Sequence, residues 1–153
     1  MKDAIYIPAY SDGLMSMFYS MTDKEIATKY QPDFREQKSL RIYNKKYKAY
    51  FHNPYLLISA GTQYQKTNFR EKLDIGEECK IFVDSGGYQL AMGTVNAEKY
   101  TDEVALKWSE ANGNIFPILD RPAFSKLYDY DFSLKSSVNS AKYYHENRSK
   151  SDA

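Results

Sequence analysis

The sequence predicts an α/β domain, and three observations carry that prediction. Short apolar, β-rich runs end in turn residues, a helical period separates two of those runs, and the exits from them carry acids. A chain of 153 residues is long enough for one such domain with its own core. The expected domain covers residues 1–148, followed by a polar tail over 149–153.

In chain order, residues 4–8 (AIYIP), 55–59 (YLLIS) and 80–83 (KIFV) read as short buried strands. A fourth, residues 115–119 (IFPIL), contains Pro117, which lacks a ladder donor and favours an edge or a bulge. Between the third and fourth, NAEKYTDEVALKWSEANG places Ala97, Thr101, Val104, Ala105, Trp108 and Ala111 on one helical face. Asn96 can cap that helix, Glu98 suits its positive end, and Gly113 can stop it. Strand, loop, helix and strand over residues 80–119 predict two parallel strands joined by a right-handed crossover. A further helix is expected over residues 133–145. TDKEIATKY, residues 22–30, has helical character. RIYNKKYKAYFHN, residues 41–53, mixes cations and rings without a clean period. It reads as a helix or as part of a basic, aromatic insertion near 22–52.

Composition excludes several classes. Twenty-one Lys and Arg against twenty Asp and Glu leave a net charge of +1, so bulk electrostatics select no polyanionic partner. A single cysteine, Cys79, excludes an internal disulfide framework and suits a reducing compartment. The amino terminus lacks the apolar core of a secretion signal, and no run approaches about 18 apolar residues, so no membrane partner and a cytoplasmic location are expected. Fifteen Tyr against one Trp favour surfaces that combine a ring with a polar tip.

The residues with chemistry stand at strand exits. In parallel α/β folds the carboxyl ends of the strands share one face, where reactive groups collect. Asp84 follows KIFV and Asp120 follows IFPIL. Neighbouring strands would lie about 4.8 Å apart, so both carboxylates could reach one ligand and shift one another's titration. Two capping aspartates account for the same spacing equally well. After Asp84 come Ser85, Gly86, Gly87, Tyr88 and Gln89. Paired glycines can open backbone N–H groups to a ligand, a ring can stack on a heterocycle, and an amide supplies a donor and an acceptor. The segment lacks the lysine and hydroxyl of a phosphate loop and the spacing of a dinucleotide fingerprint. The pattern describes a pocket for a flat polar base, although a glycine-rich strand-to-helix turn is also common as plain structure.

VDSGGYQ, residues 83–89, resembles the signature of the tRNA-guanine transglycosylase family, including related phage enzymes that place 7-deazaguanines in DNA. ILDRP, residues 118–122, is similar to that family's later strand end, and IYIPAYSDGL and LLISAGTQYQ look like its first two strands. The resemblance spans most of residues 4–124. It implies a (β/α)8 TIM-type barrel, here about its first four parallel strands with their helices. It also implies exchange of guanine for a 7-deazaguanine base in tRNA or DNA.

Carried over residue by residue, Asp84 would be the catalytic acid/base and contact the base. Ser85, Gly86 and Gly87 would shape the pocket, Tyr88 would stack, Gln89 would support the loop, and Asp120 would bind the guanine-like edge. Arg121 stands where the family usually has an acid. In the family a second aspartate attacks the sugar C1′ through a covalent intermediate, and a zinc ion sits on three cysteines and a histidine. Cys79 with His52 and His145 cannot supply that set, so no cofactor is expected in this chain. Eight strand-helix units typically need about 250 residues. The resemblance therefore implies a fragment, a degenerate frame, or a split subunit completed by a second polypeptide.

Two other function classes fit parts of the sequence. Arg41, Lys45, Lys46 and Lys48 interleaved with Tyr43, Tyr47 and Tyr50 suggest a non-catalytic nucleic-acid or nucleobase-binding module, or simply a solvated face. A small hydrolase using Asp84 and Asp120 lacks an obvious Ser or Cys nucleophile with a histidine partner.

Overall fold

The computed structural model describes residues 5–30, 41–47, 49, 51–123 and 128–148. It is a mixed α/β structure with a two-stranded parallel sheet, β1 (Tyr55–Ser59) beside β2 (Lys80–Asp84). The helices are α1 (Asp12–Ser20), α2 (Asp23–Tyr30), α3 (Ala60–Gln63), α4 (Phe69–Lys72), α5 (Gly87–Ala91), α6 (Asp102–Asn112) and α7 (Tyr130–Asn147). Two compact units emerge. One joins the chain up to Leu57 with Asn68–Ile81, and the other joins Ile58–Thr67 with the residues from Phe82 onward.

In the first unit, Ser11 caps α1 by accepting from the Leu14 N–H, and Asp12 in the first turn suits the positive helix end. Met15 and Phe18, three apart, turn the same face inward. Thr22 and Glu25 close a reciprocal capping box at α2: the Thr22 N–H donates to Glu25 Oε2 at 2.7 Å, and the Glu25 N–H donates to Thr22 Oγ1 at 3.3 Å. The strand expected over residues 4–8 is displaced. Ala4 lies outside the described residues, and the parallel pairing forms at Ala9 with Leu57, flanked by Leu57 N–H to the Pro8 carbonyl and Tyr10 N–H to the Leu57 carbonyl. Pro8 can accept but has no N–H to donate, which limits the ladder to this short stretch.

Among its described residues the basic, aromatic stretch is not a regular helix, and its cations divide between buried Arg41 and exposed Lys45 and Lys46. It holds one short 3-10 turn, Lys45–Tyr47, and its first residues point inward. Arg41 is 5% exposed and Tyr43 is fully buried. The Arg41 guanidinium donates to the carbonyls of Phe18 (3.1 Å) and Met21 (3.2 Å), near the carboxyl end of α1, and to that of Leu73 (3.4 Å). These are carbonyls of the kind that helix and loop ends leave without partners. The Tyr43 hydroxyl donates to the Leu73 carbonyl at 2.8 Å, and its ring packs edge-on against Tyr10 and Phe18. Lys45 and Lys46 stay exposed, and Lys46 pairs with Asp74. Lys48 and Tyr50 lie outside the described residues. Cys79 is buried just before β2, and desolvation pushes its thiol up to about 11, so it is an inert apolar group.

In the second unit, α3 packs on α5 and α6, and α6 packs on α7. The helix expected from Asn96 begins later. Asn96 Oδ1 accepts from the Glu98 and Lys99 N–H groups in a separate turn, and Thr101 caps α6 by accepting from Val104. The buried face is correspondingly turned: Ala105, Leu106, Trp108, Ser109 and Asn112 go inward, whereas Ala97, Thr101 and Ala111 are exposed. Both caps are chemically competent, and Tyr100, buried between them, separates the Asn96 turn from α6.

Gly113 does end α6. A Cβ there would meet Ser109 O and Val83, so packing fixes the residue. Of residues 115–119 only Ile115 pairs, in a parallel bridge to Phe82, with Val83 N–H donating to the Ile115 carbonyl at 2.8 Å. Pro117 lacks the donor needed to continue. The last helix, expected over 133–145, starts earlier because the Asp129 carboxylate accepts from the Phe132 N–H at 2.7 Å. No helix among the described residues is long and apolar enough to cross a membrane.

Candidate functional site

The site is built where chain segments leave the strands of the second unit. β2 ends with Ile81 and Val83 buried, which places Asp84 at its carboxyl end with the side chain exposed. Asp84 Oδ2 accepts from the Gly86 N–H at 3.3 Å, and Ser85 Oγ accepts from the Gly87 N–H at 3.1 Å. The expectation that the paired glycines leave open N–H groups for a ligand is therefore not met. Side chains of the loop itself take both donors, and the glycines serve close packing instead.

Gly86 has a φ of +77°, and its Cα lies against Gly61 at the start of α3. A Cβ on Gly87 would strike the carbonyl of Asp120. The β2 exit thus touches the β1 exit on one side and the Asp120 segment on the other. Ser85 closes the arrangement by donating its hydroxyl to Asp120 Oδ1.

Asp84, Ser85, Gly86, Gly87, Tyr88, Gln89 and Asp120 accordingly fall in one neighbourhood. Tyr88 is 56% exposed at the start of α5, so its ring offers a surface to a flat ligand. The Gln89 Oε1 and Ser59 Oγ atoms are buried with no hydrogen-bond partner among the described residues. Buried polar atoms are normally paired, and these two, one at the end of β1 and one on α5, leave hydrogen-bonding capacity unused among the described residues.

Two residues that sequence reasoning missed hold this loop. Tyr100 is fully buried, and its hydroxyl donates to the Ser85 carbonyl at 2.6 Å while its ring packs on Tyr64 at 4.9 Å. Burial pushes the phenol well up, so it remains a neutral donor. Arg121 donates to Ser136 Oγ at 2.6 Å and Ser140 Oγ at 3.3 Å and pairs with Asp102 at 3.5 Å, while Ser140 donates to Asp102. This network ties the segment after Asp120 to the first turn of α6 and the middle of α7. Its signals in the sequence were the departure at Arg121 and the serine spacing over 133–140.

Among the described residues no group of three or more His, Cys, Asp or Glu is placed to hold a metal ion. Against family models, curated proteins and solved structures, the chain matches none.

Proposed function

We propose that the chain is the base-recognising portion of a nucleobase transglycosylase, exchanging guanine for a 7-deazaguanine in tRNA or DNA. The observation that carries this reading is the hydrogen bond from Ser85 to Asp120, which draws the acidic β2 exit and the Asp120 segment together beside the exposed Tyr88 ring. Asp84 acts as the acid/base and base-contacting group, Tyr88 stacks on the heterocycle, and Asp120 accepts from its donor edge. Tyr100 and Arg121 position the loop and the Asp120 segment.

On this reading the parallel bridges at Ala9 and Ile115 and the β1–β2 pair are strands of a partial (β/α)8 barrel. The attacking carboxylate and the family's zinc site would then lie outside residues 1–153, in a longer form of this chain or in a second polypeptide. The close backbone approaches at Gly61 and Gly87 support this view, since barrel strands deliver their following loops to one face.

Incorporation of labelled guanine or 7-deazaguanine into tRNA and into DNA, with and without a completing polypeptide, tests the proposal. Exchange is expected only in the completed assembly, and Asp84→Asn should abolish it while leaving the fold intact. Unchanged exchange in that variant would remove Asp84 from the chemistry. Absence of exchange in every combination, with nucleic acid still bound, would favour a non-catalytic binding module.

A further inference from the structure

Beside Asp120 lies a cavity of about 230 Å³, lined by Asp120, Arg121, Pro122, Ser133, Leu134 and Ser137 among others. It is smaller than the pockets that take drug-sized ligands and suits a single small ring. Ser133, on the first turns of α7, is the telling residue. It is only 7% exposed, and its hydroxyl has no hydrogen-bond partner among the described residues. Helical serines and threonines commonly bond back to the carbonyl four residues earlier, as Ser20 does to Ser16 and Thr28 to Lys24. Ser133 does not, although Asp129 O is engaged by its N–H.

The other lining groups narrow the ligand class. The Asp120 carboxylate at the mouth disfavours a phosphate, and the nearby guanidinium is held by Asp102, Ser136 and Ser140. Asp120 Oδ1 takes the Ser85 hydroxyl, and Oδ2 accepts from no described residue. A carboxylate oxygen, two serine hydroxyls and an apolar wall of Pro122 and Leu134 match a ring with hydroxyls on one edge and C–H groups on its face. Carboxylates commonly read ribose hydroxyls in this way.

We propose that this cavity binds the ribose of the target nucleoside, with Ser133 and Asp120 reading its hydroxyl edge. The assignment rests on the transglycosylase reading for the identity of the base, and it selects RNA over DNA. Asp120 is the wall shared by the base site and the sugar site. Ser133 is a specificity-determining residue that leaves the base contacts untouched.

The test measures binding of guanine, guanosine, 2′-deoxyguanosine and methyl β-D-ribofuranoside to the full-length chain and to Ser133→Ala by ligand-observed and amide-shift NMR. Guanosine should bind about fivefold tighter than 2′-deoxyguanosine, the value of one neutral hydrogen bond. Ser133→Ala should erase that difference, leave guanine affinity unchanged, and keep or raise the thermal midpoint because an unpaired buried hydroxyl is removed. Guanine binding with equal affinities for the two nucleosides, or a preference that survives Ser133→Ala, would overturn the sugar site alone. Ser133-dependent binding of the riboside without guanine binding would support the sugar site and overturn the base reading. Failure of all four probes to bind would overturn both.

Discussion

Two stretches hold most of the unusual residues of this chain, and they are used in opposite ways. RIYNKKY, residues 41–47, looks like a nucleic-acid surface, yet Arg41 and Tyr43 turn inward and bind the carbonyls of Phe18, Met21 and Leu73. DSGGYQ, residues 84–89, looks like a turn, yet it keeps an acid and a ring exposed and leaves a buried amide oxygen without a partner among the described residues. In the first stretch polar groups satisfy the protein itself. In the second, polar capacity remains unused among the described residues, and the proposed base site would draw on it.

The contrast can be broken most forcefully at Arg41. Arg41→Ala removes the guanidinium from the Phe18 and Met21 carbonyls, leaves Leu73 to Tyr43 alone, and should cost roughly 3 kcal/mol in denaturant unfolding, without altering base binding in the protein that remains folded. A stable variant with impaired binding would reverse the roles assigned to the two stretches. Gly86→Ala should cost about 2 kcal/mol, because it adds a side chain at a left-handed residue whose Cα already touches Gly61. A neutral outcome there would deny the close approach of the two strand exits.

Smaller effects sharpen the account. Tyr100→Phe removes one buried hydrogen bond to the Ser85 carbonyl and should cost about 1 kcal/mol, with some loss of base affinity through the loosened loop. Equal base affinity would limit Tyr100 to packing. Tyr88→Leu should change stability by no more than about 0.5 kcal/mol and still weaken base binding roughly tenfold, as loss of a stacking ring does. Parallel losses in base and nucleic-acid binding would argue against stacking as the role of Tyr88.

Much of the site was legible because its signals are local. An apolar run that ends in an acid and two glycines specifies a strand and a tight exit within a few residues, whereas Asp120, expected at a similar exit, follows a segment in which only Ile115 pairs. The glycines were read for ligand approach, whereas their neighbours are Gly61 and Asp120, which no local pattern reveals. The same limit hid the scaffold. Arg41 reaches partners 20 to 32 residues away, and Tyr100 reaches Ser85 across 15, so burial of those side chains depends on tertiary contacts. α1 escaped notice because Gly13 and two serines lower its helix propensity, although Ser11 and the Met15–Phe18 spacing were its markers. The start of α6 was misplaced because Asn96 and Thr101 are both good caps.

Amide-shift titration of the full-length chain with 7-deazaguanine tests the central claim most directly, since it reports both stretches in one experiment. The account predicts saturable shifts at Ser85, Tyr88, Gln89 and Asp120, none at residues 41–47, and their loss in Asp120→Asn. Shifts confined to residues 41–47, or none at residues 84–89, would contradict it.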